Sequence, residues 1–188
     1  MREQPDIIIP DSVTMPRAEV RTTANGVKVY RLDANEFEVV RFTLVFRAGS
    51  SMQHKSFAAS ATANMLGEGS THLTAQQIAE ELDFYGSYFD VNIDRDYAYI
   101  SFCSLKKFFE PTIAVAREII LHPAFPEHEF KIYCSKRKQS LTIERKKVDM
   151  QSRELFSEAL FGKEHPYGKS SDETLYDELT TDDLRHTY

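Results

Sequence analysis

The chain has 188 residues, 41% of them hydrophobic, which is enough for one buried core and does not call for two. Its 23 basic and 29 acidic residues give a net charge of −6, so the positive excess that draws nucleic-acid backbones or anionic lipid is absent, and neither is expected as a partner. Cys103 and Cys134 have no motif spacing and read as free thiols, nothing near Met1 has the form of a signal peptide, and no apolar run approaches membrane-spanning length; a soluble, cytoplasmic protein is expected.

Residues 1–18 read as an extended lead-in, because Pro5, Pro10 and Pro16 each remove a donor and bias their predecessors away from helix. A hairpin follows, with "AEVRTT" and "VKVYRLD" flanking Asn25-Gly26, a dipeptide suited to a tight type I′ turn. In "EVVRFTLVFRAGS", Val40, Phe42, Leu44 and Phe46 alternate with Arg41, Thr43, Val45 and Arg47, which predicts a strand with one apolar face. A helix of small residues is expected over about 56–66, ended by "GEGS". Thr74 caps a second helix whose Ile78, Ala79, Leu82 and Tyr85 share a face, with Gly86 as its stop.

Phe89/Val91/Ile93 and Ala98/Ile100/Phe102 predict a second hairpin around Asp94-Arg95. From Lys107 the chain turns helical, with Phe109, Ile113, Ala116 and Ile120 as the expected buried stripe. "HPAFPEHEF" is a proline-bounded connection, a long helix is expected over about 127–148, and a shorter one carries Leu155, Phe156, Ala159 and Leu160. After the loop "GKEHPYGKS", "TTDDLRHTY" opens with a capping box and breaks off after about two turns. The order of elements predicts an α+β two-layer sandwich, a mostly antiparallel sheet with helices on one face, as a single domain over 19–188 that forms the first half of a longer chain.

Four stretches in this order, "RFTLVFRAGS", "ANMLGEGST", "TAQQIAEELDFYGS" and "YFDVNIDRDYAYISF", followed by "HPAFPEHEF" and "LFGKEHPYGKS", resemble the amino-terminal type of domain of the M16 metallopeptidases, the family of pitrilysin, insulin-degrading enzyme and the mitochondrial processing peptidase. In that family the first helix carries His-x-x-Glu-His, two imidazoles for zinc and a glutamate that activates water. Aligned on Met65 and "GEGS", the resemblance puts Ser60, Ala63 and Asn64 at those positions, so both histidines and the base are missing. The third ligand, a glutamate of the long helix, falls near Thr142 or Ile143; Glu144 lies within two residues but reads more simply as a solvated side chain beside Arg145 and Lys147.

His54, His72, His122, Glu127, His128 and Glu129 are the other residues from which a metal site could be rebuilt, and surface or helix-capping roles account for each. The basic run from Lys131 to Lys147 reads as a solvated helix face. No cofactor is expected, zinc being that of the active relatives. The resemblance implies that the strand Tyr88, Phe89, Asp90, Val91, Asn92 and Ile93 is the edge on which such enzymes hold peptide; the same residues equally serve to pack a sheet. It implies a non-catalytic domain or subunit that pairs with a second M16-like domain or an active M16 subunit and binds peptide. Two alternatives stay open: an active zinc metalloendopeptidase with other ligands, and a structural or peptide-binding scaffold apart from proteolysis.

Overall fold

The computed structural model describes residues 15–34, 36–170 and 172–188, so most of the proline-rich lead-in lies outside the described residues. The chain divides into two compact units, 1–38 and 39–188. The first contains the hairpin of β1 (Glu19–Thr22) and β2 (Lys28–Arg31), paired antiparallel from Glu19 with Arg31 to Thr22 with Lys28. Its turn differs from the expected two-residue form. Thr23 N–H donates to Val27 O and Gly26 N–H to Thr23 O, both at 2.9 Å, and only Gly26 has a positive φ (85°). A type I′ turn needs positive φ at both central residues. Here Asn25 stays on the negative side and Gly26 alone takes the left-handed position of a three-residue loop.

The second unit is built on an antiparallel sheet in the order β3 (Val39–Phe46), β5 (Ala98–Leu105), β4 (Tyr88–Ile93). Its register aligns Phe42, Phe102 and Phe89 in one row and Leu44, Ile100 and Val91 in the next. All of these but Val91 belong to the core or pack against it, and the Phe89 and Phe102 rings lie 5.1 Å apart. On the opposite face Thr43 and Ser101 share a 2.9 Å hydrogen bond and Arg41 lies 3.9 Å from Asp90. The expected alternation holds on both hairpin strands. At the end of β3, Gly49 N–H donates to Asp96 O; a Cβ there would lie 2.4 Å from Asp96 backbone atoms, so only glycine permits this approach.

The helices are α1 (Ala58–Met65), α2 (Ala75–Phe84), α3 (Phe109–Leu121), α4 (Glu127–Glu144), α5 (Val148–Phe161) and α6 (Thr181–Thr187). Thr74 and Gln77 form a reciprocal capping box on α2, and Thr180 and Asp183 form another on α6. On α3 the buried stripe is Thr112, Val115, Ala116 and Ile119; Phe109, Ile113 and Ile120 flank it half-buried. Thr112 can turn inward because its hydroxyl bonds Ser87 Oγ at 2.6 Å and Phe108 O at 2.8 Å. The predicted long helix ends four residues early, at Glu144. Arg145, Lys146 and Lys147 follow, three cations where the helix dipole favours positive charge, before α5 begins. Among the described residues no helix is long and apolar enough to cross a membrane.

Candidate functional site

α1 is short and its residues are small because it is surrounded. It packs against α4, α6, β4 and β5, and Ala58, Ala61 and Met65 have no exposed surface. Leu184 of α6 is equally enclosed, and its carbonyl accepts a 3.4 Å bond from Thr62 Oγ1. Alanine brings the backbones close enough to exclude voids, as close packing requires. The helix starts from Phe57, held at φ 67°, whose ring stacks on Tyr176 at 4.1 Å. No pattern of hydropathy announces a left-handed phenylalanine.

The three motif positions all lie on this helix. Ser60 Oγ donates to Phe57 O at 3.0 Å, Asn64 Nδ2 donates to Ser60 O at 2.7 Å, and the Ala63 methyl is buried. Both polar side chains are therefore turned to backbone carbonyls of their own helix. Across from Ser60 stands Tyr133 of α4, not Glu144, which ends that helix eleven residues on. Burial pushes the Tyr133 phenol well above its ordinary range, with Tyr176 adding to the shift. Ser60 lies near it, yet no contact reaches hydrogen-bond geometry, and the buried hydroxyl has no partner among the described residues.

This donor set does not fit zinc. A methyl, a hydroxyl and a carboxamide offer no imidazole, thiolate or carboxylate, and an aromatic cluster of Phe57, Tyr133 and Tyr176 packs alongside. The other candidates are dispersed. His54 lies 3.4 Å from Asp183 and edge-on to His186; His72 lies 2.8 Å from Glu118, with His122 across from its ring; Glu127 accepts from Thr181 Oγ1 at 2.6 Å. Hydrogen bonds from Ser70 and then His72, working against burial, hold the Glu118 carboxyl below its ordinary range. No three His, Cys, Asp or Glu side chains are grouped so as to hold a metal among the described residues. In the basic run, Lys138 pairs with Asp177 and Arg145 with Glu173, Lys131 and Lys136 face solvent, and Arg137 lies against the Tyr176 phenol.

The six-residue strand singled out from the sequence is β4, and among the described residues it is an edge of its sheet. Beside it α2, β4 and the end of α1 border an open cavity of about 460 Å³, which Asn64, Glu68, Ile78, Leu82, Asp83 and Phe89 help to line. No local sequence pattern announces this cavity, since its lining is spread over four segments.

A three-stranded antiparallel sheet backed by this helix order defines an M16 peptidase-like fold. The structure is similar to that of a peptidase M16 inactive domain from Pseudomonas fluorescens, with a TM-score of 0.84 and 24% identity over 91% of this chain and 42% of that one. It is also similar to the periplasmic protease PqqL from Escherichia coli (TM-score 0.73, 16% identity, 97% of this chain and 20% of that one). A third likeness is to the ferredoxin protease FusC, solved in complex with Arabidopsis ferredoxin (TM-score 0.67, 17% identity, 99% and 22%). The chain thus spans between one fifth and just over two fifths of the length of these structures. No protein-family model matches the sequence, and no curated protein matches it.

Proposed function

We propose that the chain is a non-catalytic M16-like domain, with no zinc of its own, that pairs with an active zinc-peptidase half and helps to hold peptide. The carrying observation is the chemistry of α1. Where the resemblance sets zinc ligands and a base, the helix has Ser60 and Asn64 bonded to backbone carbonyls and a buried Ala63 that cannot accept a proton. The similar structure from Pseudomonas fluorescens is itself described as an inactive domain, and it is more than twice as long as the part matched here.

Pairing is supported by α5, whose sides are reversed. Glu154 and Ser157 line a cavity of about 280 Å³ together with Phe57 and Arg95, while Val148, Leu155, Phe156 and Leu160 face outward, each more than 60% exposed. A stripe of large apolar side chains turned to water marks a surface meant to be covered, and a second M16-like body is the occupant we assign to it. Peptide holding is supported by β4, whose edge can pair with an added strand through backbone groups alone.

The test mixes the purified chain with an M16 peptidase half that carries an intact His-x-x-Glu-His motif and is encoded beside it. The expected result is substoichiometric zinc in the isolated chain, and a mixture that elutes earlier and cleaves peptide at an altered rate. One zinc per chain with chelator-sensitive peptidase activity would overturn the non-catalytic reading. A partner whose elution and rate both ignore the chain would overturn the pairing.

A further inference from the structure

The cavity beside β4 has a sign. Its floor is apolar, formed by Ile78, Leu82, Phe89 and Val91, and the small side chains of Ala75 and Ala79 keep its α2 wall low. The charged side chains that line it are Glu68, Asp83 and Asp90, with no lysine or arginine among them. Asp90 lies near Arg41, on the sheet face away from the helices. Glu68 and Asp83 remain as the cavity's own charges, and neither makes an ion pair among the described residues. Burial and the nearby Glu129 push the Glu68 carboxyl up, against a smaller pull from Lys136, so a cation arriving there would relieve an unfavourable environment.

We infer that this cavity selects a basic side chain on an extended peptide added as a strand to β4. The inference rests on the strand-addition reading above and deepens it by naming a substrate class. In an added strand, alternate side chains point to the helix-covered side, as Phe89, Val91 and Ile93 do in β4. One of them enters between β4 and α2. The geometry suits lysine or arginine: the methylenes lie along Ile78, Ala79 and Leu82, and the cationic head reaches Glu68 and Asp83 at the rim. A glutamate in the same place would meet like charge. A purely apolar side chain would fill the floor and leave both carboxylates unpaired.

The test measures binding of the full chain to three labelled peptides that differ at one central position: lysine, norleucine or glutamate. Norleucine keeps the length of the stem without the charge. Two partly exposed charge pairs predict that lysine binds about tenfold more tightly than norleucine, with glutamate weaker still, and that the ratio shrinks as salt rises. The double variant Glu68→Gln, Asp83→Asn should bring lysine and norleucine within about threefold. A fourth peptide, N-methylated on alternate backbone amides, tests the strand pairing separately. Equal binding of lysine and norleucine, both sensitive to N-methylation, overturns the basic selection and keeps strand addition. Binding insensitive to N-methylation, or no binding of any peptide, overturns strand addition and the selection with it. A lysine preference that survives in the double variant assigns it to other residues and also overturns the inference.

Discussion

Helices α1 and α5 belong to the same unit and use opposite rules. α1 has eight residues, most of them alanine-sized, and six of them are buried. α5 has fourteen residues, including Leu155, Phe156, Leu160 and Phe161, and none is buried. The difference shows that residue size follows distance between backbones rather than hydrophobic content. Where four elements converge on one helix, only small side chains fit between them. Where a helix touches its own unit through Glu154 and Ser157 and an Arg95–Ser157 bond of 2.8 Å, the large apolar residues are left exposed.

The largest expected effect comes from filling the enclosed helix. Ala61→Leu inserts three carbons at a position with no exposed surface and should cost about 3 kcal/mol, read as a lower urea midpoint with unchanged slope. Leu184→Ala, which empties the facing site on α6, should cost about 3 kcal/mol by leaving a cavity against α1. A loss near zero for both would break the contrast, because α1 would then have room that its alanines do not need.

A smaller effect is expected at the cap of α6. Thr180→Ala removes the side-chain acceptor for Asp183 N–H and should cost about 1 kcal/mol. Asp183 gives the same contact a pH signature. Burial works to raise its carboxyl, but hydrogen bonds from Thr180, Lys55, the Thr180 N–H and His54 outweigh it and hold the group well below its ordinary range. A carboxyl depressed in the folded state stabilises above its unfolded pKa, and that contribution is lost as pH falls through the folded value. The wild type should therefore lose its advantage over Asp183→Asn progressively below about pH 4. A constant gap between the two down to pH 2 would show that the carboxylate is not what joins α6 to the Lys55 loop.

Much of the frame around this contrast is written locally in the sequence. The Thr74 cap, the capping box at Thr180, the alternation of β3, β4 and β5 and the stop at Gly86 depend on neighbours within a few residues, and each is found where expected; the reciprocal bond from Gln77 comes in addition. What was not legible depends on partners far along the chain. Thr112 replaces an apolar residue in the α3 stripe because Ser87 satisfies it. Phe57 takes a left-handed backbone while stacked on Tyr176, and Tyr133 lies near Ser60 only because α4 packs against α1. Positions 60, 63 and 64 could be singled out only by resemblance, since a short run of small residues carries no chemical signal of its own. The outward turn of Leu155 and Phe156 was hidden for the opposite reason: their spacing is that of an ordinary buried stripe.

The smallest expected effect on the isolated chain is at that stripe. The double substitution Leu155→Ser, Phe156→Ser removes two large apolar groups, which in a core would cost several kcal/mol. Here both side chains are about two thirds exposed, so the urea midpoint should move by no more than about 0.5 kcal/mol in equivalent stability. The same variant should abolish the earlier elution expected on mixing with the peptidase half, because the proposed contact has this stripe at its apolar centre. The two readouts separate the causes: a stability loss as large as that of Ala61→Leu means that α5 is already covered within the free chain, whereas an unchanged midpoint with assembly intact moves the docking surface elsewhere.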